Sequence, residues 1–286
     1  MDGLKGMADA AHLLAGTGGT LANSPAMSEI AHEPQIIGED FDEPVHAAHS
    51  NASILRFAST DSVRQFARLF DSQPIPVYSH LAVARSGLEC AALSFWLIDR
   101  RIDVKTRVQR YQLIRLHNAK QMQQSPIPEY GEQGKRLRTK VREQCSTRSW
   151  QVIANEKNIE VEHQRVPGSG KLIKELIAQG GNMPDLGLGA TIWWFQSGVT
   201  HGATYALTES MEISNPDNTS PFVTNQVSIL TNSRSVLLQA VVLGFGFQTL
   251  IDEHRHMFGW SSEEWDSQSQ VFTSAVKQFL AMNPAA

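Results

Sequence analysis

The 286-residue chain is 41% apolar and 19% charged, with 25 basic against 29 acidic residues, ten histidines and two cysteines. That is the profile of one or two globular domains able to bury a core without crosslinks; Cys90 and Cys145 are too few for a disulfide framework, so a reducing, cytoplasmic setting is expected. The opening residues lack the apolar run of a secretory leader, and Val236 to Ile251, interrupted by Gln239 and Gln248, reads as too short and too polar for a membrane span, so no membrane association is expected.

In chain order, residues 1–50 carry one base against eight acids, and their wealth of Ala, Gly, Ser and Pro predicts a mobile acidic arm with at most a short helix over Met7 to Ala15. Thr60 is placed to cap a helix that starts at Asp61, buries Val63, Phe66, Ala67 and Phe70, and stops before Pro74 and Pro76. Val77 to Asp99 reads as a long, mostly buried helix, with Leu81, Ala84, Leu88, Ala91, Ala92, Phe95 and Trp96 on one broad face. Asp103 caps the next helix, which runs to about Gln124 and is ended by Pro126 and Pro128. A third is expected from Glu129 to Asn155, with Leu137, Val141, Trp150 and Ile153 inward, and a short one from Lys171 to Gln179 closes at Gly180 and Gly181.

Leu186 to Met211 is expected to be helical, with Gly198, Gly202 and Ala206 in a row that lets another helix come close. Glu212 to Thr224 reads as a loop or small hairpin, and Asn225 to His254 as the most apolar helix of the bundle. Ser261 with Glu264 forms a capping box ahead of a last helix that buries Trp265, Phe272, Val276 and Phe279. Apolar alternation with period two is nearly absent. The expected fold is all-α: one bundle-like domain of six to eight helices over residues 51–286, behind the arm at 1–50.

The net charge of −4 conceals a segregation, because residues 100–148 hold thirteen bases against four acids. Arg107, Arg110, His117 and Lys120 share one face of the helix that Asp103 caps, and Lys135, Arg138 and Arg142 repeat an i, i+3, i+7 spacing on the next. Two such neighbours present a joint positive surface suited to RNA or another polyanion through phosphate neutralisation. The plainer alternative is a non-catalytic helical interaction protein, scaffold or regulatory, whose basic face docks an acidic partner or its own N-terminal arm. Arg110 and His117, seven apart, suit metal-free RNA cleavage, with the guanidinium on the phosphoryl charge and the imidazole as acid/base. The Arg-x6-His spacing resembles the signature of the HEPN superfamily, helical nucleases and nucleotide-binding proteins of toxin and defence systems; the resemblance implies Arg110 and His117 as catalytic residues, and a homodimer.

A second resemblance covers Arg85-Ser-Gly-Leu-Glu89, the Arg-rich helix after it and Ser197-Gly-Val-Thr-His201-Gly202. These look like a group of uncharacterised, distantly HEPN-like helical proteins from actinobacteria, some with an arginine seven residues before that histidine. Trp194 stands there in this chain, which implies a member without that catalytic arginine. From the residues alone, Arg85 and Glu89 form an i, i+4 pair on an otherwise buried helix and need further polar partners. His201 and Ser197 are the candidates for a core polar network, and the alternative is a ligand or catalytic pocket built on Arg85, Glu89, Ser197, His201 and Tyr205. Glu-x-x-His occurs at Glu29/His32, Glu43/His46 and Glu253/His256, a spacing used in di-iron bundles, but two of the three fall in the expected arm, so neither metal nor cofactor is expected.

Overall fold

The structure is a computed structural model that describes residues 1–17, 21–34, 43–71, 78–155, 157–180, 188–203, 206–207, 211–213, 229–231 and 233–282. Within them the chain is all-α, as its sequence predicts. Ten helices of seven residues or more follow one another: α1 (Asp2–Thr17), α2 (Pro25–Ala31), α3 (Pro44–Arg68), α4 (Ser79–Ile98), α5 (Val104–Gln123), α6 (Pro128–Thr147), α7 (Ser169–Gln179), α8 (Leu188–Thr200), α9 (Ser233–Phe258) and α10 (Glu263–Met282). Two short antiparallel pairs accompany them, β1 (Val152–Ala154) with β2 (Ile159–Val161) and β3 (Met211–Ile213) with β4 (Ile229–Thr231).

Helix α4 is the hub, packing against α3, α5, α7, α8 and α9. Small residues permit this: Gly87 lies where a Cβ would meet the Leu243 and Ser62 side chains at 3.1 Å, so α3 and α9 close onto α4 at that level. Burying a helix on several sides demands apolar character all round, which is why α4 and Ser235–Phe258 are long and apolar enough to cross a membrane by length and composition. The reading of Val236–Ile251 as too short and too polar therefore understated that helix. About two thirds of each apolar stretch is covered by the rest of the protein (61% and 67%).

The N-terminal expectation needs correction. Leu4, Met7, Ala8, Ala11 and Leu14 are all buried at helical spacing, and α1 packs on α3 and α10 as part of the main core. The acids that made the segment resemble an arm are partly used in pairing, since Asp9 Oδ1 accepts from Arg64 Nε at 3.0 Å and Glu29 on α2 is held by Arg107. The acidic composition therefore marks a docked segment with ion pairs to the body of the protein.

Four helix limits also move. α3 runs unbroken from Pro44, and Thr60 sits buried inside it with its hydroxyl returned to the Arg56 carbonyl at 2.9 Å. α6 stops at Thr147 because Ser149 takes a left-handed φ of 57°; the chain then enters β1, leaving Ile153 exposed and not inward. α8 stops at Thr200, before Gly202 at φ 71°, so the Gly198–Gly202–Ala206 row is not one helix face. The last helix is capped by Ser262, whose Oγ accepts from the Trp265 N–H at 3.1 Å, one residue later than the expected Ser261 box.

Candidate nucleic-acid interface

Helices α5 and α6 form an antiparallel hairpin whose local chemistry is explicit in the sequence. Asp103 caps α5 by accepting from the Thr106 N–H at 2.7 Å, and Pro128 opens α6. The two helices cross tightly at Gly134, where a Cβ would lie 2.7 Å from the Ala119 carbonyl oxygen and 2.9 Å from the Gln123 nitrogen. Val108, Leu113, Leu116 and Val141 are buried along this unit, and β2 packs against α5.

The hairpin does not present the seven expected basic-face residues as one surface. Arg107 is 1% exposed: Nε and Nη2 bond the Glu29 carboxylate at 2.9 and 3.1 Å, and Nη1 bonds the Leu97 carbonyl at 2.6 Å. It is a core clasp between α2, α4 and α5, and its place on a phosphate-facing surface is corrected. The cause is its position at the first turn of α5, where the neighbouring segments converge. Arg110 is half-buried, with Nη1 on the Trp96 carbonyl at 2.6 Å and the guanidinium 4.8 Å from the Trp96 ring centroid; burial pulls its pKa below the ordinary range. His117 is half-buried as well, and burial together with the Lys120 charge lowers its pKa. Seven residues of helix separate Arg110 from His117 by about 10 Å along the axis, and among the described residues nothing brings them to one point.

The distal half of the hairpin is different. Lys135, Arg136, Lys140 and Arg142 are exposed on α6, Lys135 with Glu132 at 2.7 Å. Arg138 and Arg142 both donate through Nη2 to the carbonyl of Ala154, the last residue of β1, the latter at 2.7 Å, and Arg138 Nη1 also reaches Gln123 Oε1 at 3.3 Å. Beside them a cleft of about 330 Å³ opens between α5, α6 and the β1–β2 turn. Leu116 and Ile159 line it, as do Lys120, Arg138 and the amide side chains of Gln123, Gln124 and Asn155. Asn155 Oδ1 accepts from the Lys157 and Asn158 N–H groups at 2.9 and 2.7 Å, which fixes the turn. The charge count found Lys120 and Arg138, whereas the strand turn that completes the cleft was hidden by the expectation of helix to Asn155.

Nearer the N-terminal half of α4, Arg85, Glu89 and His201 do come together. Arg85 Nε donates to Glu89 Oε1 at 3.0 Å, and Arg85 Nη1 lies 3.4 Å from His201 Nε2. Trp193, missed in the sequence, donates Nε1–H to the same Glu89 oxygen at 2.8 Å and lies 5.7 Å beneath the Arg85 guanidinium. Its signal was the four-residue spacing of Trp193 and Ser197 on α8 and His201 just past its end. Ser197 is half-buried on that face, and Tyr205 lies outside the described residues. Glu29 is engaged by Arg107 and His49, and Glu253 by the Arg100 N–H and guanidinium; among the described residues no group of three His, Cys, Asp or Glu could hold a metal. No family model, curated protein or solved structure matches this chain.

Proposed function

We propose that this protein binds RNA through the distal half of the α5–α6 hairpin and does not cleave it at Arg110 and His117. The observation that carries the reading is the exposure of Lys135, Arg136, Lys140 and Arg142 along one helix, contiguous with a cleft lined by Lys120 and Arg138. Cations on a helical face displace the counterions condensed on a phosphate backbone, giving affinity without base reading. Cleavage at the expected pair is disfavoured because Arg110 is half-buried with Nη1 on the Trp96 carbonyl and its guanidinium over the Trp96 ring, about 10 Å along the helix from His117. The resemblance to HEPN-like proteins supports RNA as the polyanion, and the departure at Trp194 agrees with a non-catalytic member.

Titrating a single-stranded RNA at several salt concentrations tests this. Four phosphate contacts give a slope of about −3 in log K against log salt, and Lys135→Gln lowers its magnitude by about 0.7. Absence of salt-dependent binding overturns the proposal. Cleavage of the RNA that disappears in His117→Ala overturns its non-catalytic part. Failure with RNA alongside salt-dependent capture of an acidic peptide would favour the interaction-protein alternative.

A further inference from the structure

We infer that the cleft between α5, α6 and the β1–β2 turn receives one unstacked nucleotide of the bound RNA, so that the protein selects single strands over duplex. This rests on the proposed RNA-binding function and deepens it by naming the substrate class.

Three observations carry it. The first is size: at about 330 Å³ the cleft stands at the lower end of small-ligand pockets, enough for one nucleotide and too small for a base-paired stack. The second is the division of its lining. Leu116 and Ile159 give an apolar wall for a base, while the Gln124 amide and the NH2 donors of Gln123 and Asn155, whose oxygens are held by Arg138 and by the turn, suit a base edge or a 2′-hydroxyl. The third is charge. Lys120 lines the cleft, and two guanidiniums, Arg138 and Arg142, converge on the neutral carbonyl of Ala154. A phosphate oxygen is the stronger acceptor, because a charge-assisted bond is about twice as strong as a neutral one, so a nucleotide phosphate at the cleft mouth would draw the guanidiniums toward it. Glu156, next to Asn155 in sequence, lies outside the described residues. The basic face of α6 then holds the flanking phosphates while the cleft takes the base that a duplex would keep paired.

The experiment compares a 20-nucleotide single-stranded RNA with a 20-base-pair duplex RNA at equal ionic strength, with adenosine and uridine 5′-monophosphates as competitors. The expected result is a preference for the single strand of about tenfold, within what one base-binding contact supplies, and competition by the monophosphates. Gln124→Glu changes an exposed residue at the rim, and should abolish the preference and the competition while the melting temperature stays that of the wild type. Lys135→Gln, outside the cleft, should weaken single strand and duplex by the same factor. If neither RNA binds, the RNA-binding function itself fails. If both bind equally and the monophosphates do not compete, that function stands and the cleft inference falls. Competition or strand preference that survives Gln124→Glu places the nucleotide elsewhere and also overturns the inference.

Discussion

At the scale of single residues, the interior is governed by a few buried polar groups. Glu29 accepts from Arg107 and from His49 Nε2 at 2.8 Å; burial alone would push its carboxyl pKa up, and these bonds and charges outweigh it and hold the pKa below the usual range. Arg107→Ala leaves Glu29 and its desolvated surroundings without the clasp, and we expect a loss of about 3–5 kcal/mol, read as a fall in the urea midpoint. Ser94 gives its hydroxyl proton to the Ala52 carbonyl at 2.7 Å, so it accepts from His254 Nε2–H at 3.0 Å, while the His254 ring stacks on Phe258 at 5.4 Å. Burial, followed by the Arg56 and His49 charges, holds His254 well below its ordinary pKa of 6.5, and burial also lowers the pKa of His49, against the opposing pull of Glu29. The unfolded chain therefore takes up protons near pH 6.5 that the folded chain refuses. Stability from these histidines is complete above pH 6.5 and declines as pH falls through it, by up to about 1.4 kcal/mol per pH unit for each group. Depressed Glu29 adds loss in the same direction below its ordinary 4.5. Urea midpoints measured from pH 8 to 5 should show this fall, and a profile flat across pH 6.5 contradicts it.

At the scale of elements, the hairpin depends on one absent Cβ. Gly134→Ala places a methyl 2.7 Å from the Ala119 carbonyl, backbone that cannot move aside, so we expect about 1–3 kcal/mol of destabilisation. One turn earlier Gly131 has nothing within 4 Å, and Gly131→Ala should stabilise by about 0.5–1 kcal/mol through helix propensity. Thermal melts of the two variants should shift in opposite directions. The sequence made α5 legible to the residue, because Asp103 is a capping side chain and Pro126 a stop, and these act locally. It misplaced the end of α6, since the left-handed turn at Ser149 is imposed by the docking of β1 and β2 and no glycine announces it. For the same reason the charged cluster was half legible. Helical spacing put Arg107 and Arg110 on one face with Lys120, but only the arrival of α2 and the α4 C-terminus decides that the first two turn inward.

At the scale of the whole molecule, the segregation of charge is partly neutralised inside the protein, through Glu29 with Arg107 and Asp9 with Arg64. Removing residues 1–31 should therefore not unmask an RNA-binding surface. It strips Leu4, Met7, Ala11 and Leu14 from the core and leaves Arg107 buried without its carboxylate, so we expect a protein with exposed apolar surface and a lowered or absent melting transition. A truncated chain that melts at the full-length temperature would contradict this.

The pairing of α1 with α10 also orders events during synthesis. Helix α1 is made well before one of its two main partners, α10, so its apolar stripe of Leu4, Met7 and Leu14 stays only partly covered until about 260 further residues have been made. Closure of the core waits on the most distant contact in the sequence, and the nascent N-terminal helix is the segment on which a chaperone would act longest.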